Sequence, residues 1–411
     1  MQIRGNERLN MLTVDDMDLK GKTVFIRVDM NVPIHPDTLK IIESIRISEA
    51  STTIKELEHA RVVVGSHQGR VGRYDYIDLR QHAEVLEEMI GRKVMFVEDV
   101  MGPEARRSIE RMNDGDVLLL DNLRFCAEEN YEFTPKDAAN TVMVRRLAKL
   151  IDACILDCFP SAHRAHPSIV GFPYLLPACA GRLVAREVQS LDRVLTVAKG
   201  PYVVILGGSK ISDRLEAIET LIQGGRADKV LLTGLISIIF LMAQGRFKAN
   251  RLGIKEEALV EKARKLMQKY PNVFMLPVDY ATENNGERVE KNLDEFGDDD
   301  TILDIGSKTI ESYEKVISGA GTIFMSGPAG AFEREQFAYG TRTLLEIVAR
   351  SLSTTIVSGG HMTAALKRFG LSDKVDHIST AGGALVLYLA GKKLPMMEVL
   401  EMAYEKVAAK A

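Results

Sequence analysis

Long apolar runs are missing from this 411-residue chain. The longest, VLLTGLISIIFLMAQG from Val230 to Gly245, falls short of the roughly 20 residues a membrane-spanning helix needs and is interrupted by Thr233 and Ser237. It reads as a buried strand followed by a helix, and no membrane is expected as a partner. Cysteine is scarce. Four residues without a CxxC pair exclude a disulfide framework and a cysteine zinc site, and Cys154 and Cys158 read as small buried side chains on one face of a strand. Excess positive charge is also missing: the net charge of −4 gives no reason to expect nucleic-acid binding. The opening MQIRGNERLNML is charged throughout and lacks the apolar core of a secretory signal, so a reduced cytoplasm is the expected compartment. Two nucleotide signatures are absent as well. Without GxxxxGK[ST] the chain is no P-loop NTPase, and without GxGxxG after a strand a dinucleotide fold is disfavoured.

What is present points to two domains of one kind. At 46% hydrophobic and 27% charged the composition is that of a globular protein, and a prior of about 150 residues per domain predicts two or three domains. From Thr23 onward, β-branched runs alternate with amphipathic segments. That alternation predicts an α/β protein with two doubly wound parallel-sheet, Rossmann-like domains. Between the halves lies Gly171 to Pro201. Pro167, Pro173 and Pro177 should break any preceding element, and Val184, Val188, Leu191, Leu195 and Ala198 mark a helix with one apolar stripe, stopped by Gly200-Pro201. Taken alone, this segment fits a plain connecting helix; the contrast between the flanking halves makes it a hinge. The expected organisation is a substrate domain over 1–178, a hinge helix over 179–199, a nucleotide domain over 200–393 and a terminal helix over 394–411. Asn292 to Ile302, rich in acids, is expected to be a solvated loop.

Strand ends in the first half carry cations. VFIRVDMNVP closes on Arg27, Asp29 and Asn31, RVVVGSHQGRVGR on Ser66, His67 and Arg70, DVLLLDNLRF on Asp121, Asn122 and Arg124, and DACILDCFPSAHRAHPS on His163, Arg164 and His166. Ligands of open α/β sheets bind beyond the carboxyl ends of the strands, so these groups converge on a site for a small anion. Arg46, in the helix after the first strand, joins them. Singly, each is an ordinary surface ion pair or a helix cap; agreement among four strand ends carries the reading. His163 and His166 lack the adjacent carboxylate or cysteine that would complete a metal shell. In the second half glycine replaces arginine: Gly207-Gly208 with Lys210 close behind, then turns at Gly327, Gly359-Gly360 and Gly382-Gly383. Glycine between a strand and a helix lets backbone N–H groups approach phosphate, and repetition suggests a nucleotide. An anion site and a phosphate cradle together imply phosphoryl transfer, and with no compelling general base an already ionised carboxylate is the better acceptor.

Seven motifs, in order over nearly the whole chain, resemble phosphoglycerate kinases: RVDMNVP (27–33), SHQGR (66–70), DNLRF (121–125), AHRAHPS (162–168), LGGSKISD (206–213), SGPAGAFE (326–333) and STAGGA (379–384). The resemblance implies reversible transfer of the acyl phosphate of 1,3-bisphosphoglycerate to Mg-ADP, giving 3-phosphoglycerate and ATP, in a monomer that closes about its hinge and whose tail returns to the first domain. It places Asp29 and Asn31 at the hydroxyl and carboxylate end of the substrate. His67, Arg70, Arg124 and Arg164 fall around the distal phosphate and Gln68 and Gly69 among the substrate-binding residues, with Arg46 and Lys210 acting on the transferring group. Gly207, Gly208, Arg214, Gly234, Gly327, Pro328, Glu333, Ser358, Gly359, Gly360 and His361 fall around the nucleotide, Glu333 at its ribose. No residue is assigned to the Mg²⁺ ion.

Three departures from the family pattern stand out. Arg214 replaces a usual lysine, TGLIS at Thr233 to Ser237 replaces GGGMA, and SGGHM at Ser358 to Met362 replaces GGGDT. His361 is therefore expected to contact phosphate, with Mg²⁺ held by nucleotide oxygens and water. Two rival readings stay open at this point. A kinase of another small carboxylic acid would not depend on Arg70 and Arg164, and a non-catalytic nucleotide or metabolite sensor on the same fold is favoured only by the altered SGGHM turn.

Overall fold

The computed structural model describes residues 10–247, 257–297 and 300–409. Most of the N-terminal segment read above for a signal, and Asp298 and Asp299 of the acidic stretch, lie outside the described residues. The described residues up to Gln189, with those from Lys393 onward, form one compact unit, and Ser190–Lys392 form a second.

The first unit runs β1 (Thr23–Val28), α1 (Ile45–Glu56), β2 (Arg61–Gly65), α2 (Arg80–Ile90), β3 (Val94–Val97), α3 (Pro103–Glu110), β4 (Val117–Leu120), α4 (Pro135–Ala139), α5 (Val142–Leu147), β5 (Ala153–Asp157), α6 (Pro167–Leu175) and β6 (Ala178–Ala180). Its strands form one parallel sheet in the order β3-β4-β2-β1-β5-β6. Strand β1, TVFIRV, is buried at every position, as expected of a central parallel strand covered by helices on both faces. The chain winds outward from β1 on one side through β2 and then resumes on the other with β5. That reversal opens a crevice beyond the carboxyl ends of β1, β2 and β5.

Helix α7 (Arg182–Val197) follows, and the boundary between the units falls inside it. The second unit adds β7 (Tyr202–Leu206), α8 (Ile211–Gln223), β8 (Lys229–Leu232), α9 (Gly234–Ala243), α10 (Glu257–Lys269), β9 (Phe274–Met275), β10 (Asp279–Asn284), β11 (Glu287–Asn292), β12 (Ile302–Ile305), α11 (Ser307–Ile317), β13 (Thr322–Ser326), α12 (Tyr339–Arg350), β14 (Thr354–Ser358), α13 (Gly360–Arg368), β15 (His377–Ser379) and α14 (Gly383–Leu389). Its main sheet is parallel, in the order β15-β14-β13-β7-β8-β9, and reverses between β7 and β13. The α/β architecture with parallel sheets is the one the alternating pattern predicts. The run from Val230 folds as the end of β8 plus α9, with Ile236 to Met242 buried. α15 (Pro395–Ala408) packs on α6, and Met396 N–H donates to the Ala162 carbonyl at 3.1 Å.

Two expectations are corrected. Pro173 does not break the chain before the hinge segment: Pro167 opens α6 at its first turn, where no backbone donor is required, and α6 continues through Pro173 to end at Leu175, just before Pro177. An interior proline costs a helix about 3 kcal/mol, whereas burying each of Ile169, Val170 and Phe172 stabilises it by about 1.5–3 kcal/mol, so packing wins. The acidic stretch is not simply solvated either. Leu293 and Phe296 are buried, and Asp300 pairs at 2.7 Å with Lys291 of β11, in a three-stranded antiparallel sheet, β11-β10-β12. Asn285-Gly286, both at positive φ, forms the hairpin turn between β10 and β11; an Asn-Gly pair between strand-forming runs is the signal that could have found it.

Candidate active site

Arg27 lies at the bottom of the first unit's crevice, fully buried at the end of β1. Its Nε donates to Ser168 Oγ at 2.8 Å and its Nη2 contacts His67 Nδ1 at 3.0 Å, with the buried Glu129 carboxylate 3.9 Å away. A guanidinium only donates, so His67 Nδ1 accepts and the proton of the neutral ring sits on Nε2. Burial first, and then the arginines Arg27, Arg124 and Arg164, hold His67 well below its usual pKa against the opposing pull of Asp29. His67 is therefore a fixed neutral donor. His166 behaves alike, pushed down to about 3 by burial and then by Arg164 and Arg27.

The loop after β1 aims Asp29 and Asn31. Burial alone would raise the Asp29 carboxyl; Arg46 foremost, with the Ser161 hydroxyl and Arg27, overcomes it and holds it far below the usual carboxylate range. Asp29 Oδ1 accepts from Arg46 Nη1 at 2.9 Å, and its Oδ2 accepts from Ser161 Oγ at 2.6 Å. Arg46 Nη1 also donates to the Asn31 carbonyl at 3.2 Å, which leaves the rest of its guanidinium for a ligand. From the loop after β2, Gly69 N–H donates to Asn31 Oδ1 at 3.0 Å while the Gly69 carbonyl accepts from Arg124 Nη1. Gly69 has φ +67°, and a Cβ there would lie 2.3 Å from the Asp75 carbonyl oxygen, so only glycine fits. Arg124 is pushed down to about 10 by burial and then by Arg164, Arg27 and Arg70; Arg164 is lowered likewise by burial and by Arg70. Arginines that depress one another are a cationic pocket short of negative charge, the electrostatics of an anion site.

In the second unit the carboxyl ends of β7, β8 and β13 meet backbone to backbone. Gly207 N–H donates to the Ser326 carbonyl at 3.0 Å, Gly208 N–H to the Pro328 carbonyl at 2.8 Å and Gly234 N–H to the Ala329 carbonyl at 3.1 Å. A Cβ on Gly207 would stand 2.2 Å from the Pro328 carbonyl oxygen, and one on Gly327 2.3 Å from that of Gly207. Arg214 reaches across from α8. Its Nη1 donates to Ser326 Oγ at 2.7 Å, its Nε is buried without a partner among the described residues, and burial lowers its pKa. Lys210 and Glu333 are exposed beside these turns, and Gly360 and His361 are exposed at the start of α13. The His361 ring lies 6.3 Å from that of Phe332. The cradle thus offers a lysine, an arginine, an imidazole and a helix N-terminus, a donor set for phosphates.

A family model described as phosphoglycerate kinase matches residues 14–392. The chain belongs to the phosphoglycerate kinase family. It is 40% identical to the phosphoglycerate kinase of Methanothermus fervidus over 96% of this chain and 98% of that protein. With phosphoglycerate kinase 2 of Methanosarcina acetivorans it shares 41% identity over 97% of this chain and 96% of that one. Among solved structures, the Pyrococcus horikoshii phosphoglycerate kinase superposes with a TM-score of 0.85 at 36% identity, covering 96% of this chain and all of that one.

Within this family fold, two of the residues expected to bind ligands have side chains bonded to the backbone of neighbouring loops. Gln68 is fully buried, its side chain exchanging hydrogen bonds with the Val32 backbone at 2.9 and 3.0 Å. Ser358 is likewise buried, its hydroxyl donating to the Ala381 carbonyl at 2.6 Å. Arg27, read as a strand-end cation of the crevice, lies beneath it and orients His67. Residues not singled out from the sequence include Ser161, Ser326 and Glu129, which accepts from Ser168 N–H at 3.0 Å. Ser161 sits inside a motif already quoted, but Glu129 lies in CAEENYEF, where no local pattern distinguishes it.

Proposed function

We propose that this member of the family transfers the acyl phosphate of 1,3-bisphosphoglycerate to ADP, and the reverse, with the substrate on the first unit and the nucleotide on the second. The observation that carries this reading is the mutually repelling group Arg70, Arg124 and Arg164 beside the neutral donor His67. It matches a phosphate monoester held at a distance from the reacting end. Asn31 and Asp29 lie toward the other end of the substrate, Asp29 chiefly by aiming Arg46. As the P–O bond to the acyl oxygen breaks and a β-phosphate oxygen of ADP forms the new one, charge moves onto the departing carboxylate. No proton is transferred, so no general base is needed. Arg46 would meet the transferring group from the substrate side and Lys210 from the nucleotide side, while Gly207, Gly208, Gly327 and the start of α13 accommodate the phosphates.

Mg²⁺ is expected to accompany the nucleotide. The turn from Ser358 to Met362 does not suit a protein-held ion: it has no carboxylate, its serine hydroxyl is engaged, and an imidazole suits a phosphate oxygen better than a hard cation. Joining two half-sites would require closure about residues 179–199, in a monomer in the cytoplasm. Among the described residues no helix is long and apolar enough to cross a membrane.

A coupled assay of ATP formation from ADP and 1,3-bisphosphoglycerate tests the reading. The wild type should turn over, and Lys210→Ala and Arg46→Ala should each lower kcat by about 10²-fold or more. A wild type without turnover would overturn it.

A further inference from the structure

The first unit carries a second cationic feature at the opposite pole from its anion site. Helix α5 leads into the amino end of β5, and the segment after α6 leads into that of β6, where Cys154 N–H donates to the Pro177 carbonyl. Between them, Val142, Arg145, Arg146, Lys149, Leu175 and Leu176 line a groove of about 630 Å³. That volume falls within the roughly 300–1,000 Å³ of small-molecule sites. Apolar side chains form its wall, and Leu175 is 49% exposed.

Its three cations have no side-chain partners among the described residues. Arg145, Arg146 and Lys149 make no ion pair or side-chain hydrogen bond among the described residues, whereas Arg182, Arg334, Arg350 and Arg368 elsewhere on the surface each hold a carboxylate. Glu128 is engaged at the far end of α5, accepting from the N–H groups of Val142 and Met143 at 2.9 and 3.2 Å. A helix C-terminus favours a cation by about 0.3–1 kcal/mol. That accounts for one of the three, not for their grouping around an apolar void. α5 is anchored from below by the fully buried Met143, Val144 and Leu147, so the rim is fixed in place.

We propose that this groove binds a small amphipathic anion, a carboxylate or phosphate monoester head on a medium-length apolar chain. The head sits among Arg145, Arg146 and Lys149, and the chain lies against Val142, Leu175 and Leu176. Neutral amphipaths lack the attraction, and compact anions lack the apolar contact.

The chain contains no tryptophan, so Leu175→Trp places a single fluorescent reporter in the groove wall, with calorimetric titration of the unsubstituted protein as an independent readout. Decanoate and decyl phosphate should each bind saturably, and their ratio tells which head group is preferred. Decanol should bind at least about tenfold more weakly, as should either anion to the triple variant Arg145→Gln, Arg146→Gln, Lys149→Gln, whose kcat should equal that of the wild type. Equal binding of decanol, or anion binding that survives the triple substitution, would reduce the groove to an apolar surface and overturn the proposal. Absence of binding by both anions in both readouts would overturn it as well.

Discussion

Gly69 ties the substrate loops together without a side chain of its own. Its N–H orients Asn31, its carbonyl takes Arg124, and its φ of +67° with the Asp75 carbonyl 2.3 Å from any Cβ forbids substitution. Gly69→Ala should therefore lower stability by about 1–3 kcal/mol and raise the KM for 3-phosphoglycerate more than that for ATP, measured by denaturation and steady-state kinetics. An unchanged KM would remove Gly69 from the site. Residue identities at the crevice were largely readable, because Arg and His at strand ends are few and their place beyond the sheet follows from topology. Which of them touch ligand and which brace others was not readable. Arg27 and Arg124 both end a strand in the sequence, yet Arg27 is sealed under His67 between Ser168 and Glu129, whereas Arg124 stands with Arg70 and Arg164 and bonds the Gly69 carbonyl.

At the scale of elements, the start of α7 is held by a polar network rather than by its own sequence. Asp157 at the end of β5 accepts from Val184 N–H at 3.1 Å and from Thr53 Oγ at 2.5 Å, and Thr53 Oγ in turn accepts from Arg182 N–H at 2.9 Å. Burial pushes the Asp157 carboxyl up to about 6. Thr53→Val keeps the shape and removes both hydrogen bonds, so it should cost about 1–3 kcal/mol in urea denaturation. A cost near zero would show the network to be dispensable. The helix itself was legible from its apolar period, with Val184, Val188 and Leu191 all fully buried. Its cap was not, since Thr53 lies 129 residues away from the backbone group it accepts.

For the molecule as a whole, buried ionisable groups pull stability in opposite directions with pH. His82 and His166 are pushed down to about 4 and 3 by burial. The unfolded chain takes up their protons below about 6.5, so the stability they contribute at neutral pH is lost as pH falls through that window. Asp157 and Asp304, pushed up by burial to about 6 and 7, act the other way. The folded state keeps their protons longer, so their contribution is present below about 4 and lost as pH rises to their folded values. Asp304→Asn removes one such loss: the variant's stability relative to wild type should be higher at pH 8 than at pH 5 by about 2–4 kcal/mol, read on the unfolding of the second unit. No difference between the two pH values would refute it. If transfer joins two half-sites, small-angle scattering should show the radius of gyration falling only when 3-phosphoglycerate and nucleotide are both present. Equal values with one ligand and with two would refute closure.

The sequence by itself determined the α/β class, the parallel sheets, the family and the chemical contrast between arginine-tipped and glycine-tipped strands. These are repetitive or local: strand-helix alternation, motif order and residue type survive without knowledge of contacts. Tertiary structure alone decided the protonation of His67, the backbone bonds of the Gln68 and Ser358 side chains, the passage of α6 through Pro173 and the cations beside Leu175 without side-chain partners among the described residues. Each depends on burial and on partners distant in the chain, and the free energy of a polar group is set by what surrounds it rather than by what precedes it.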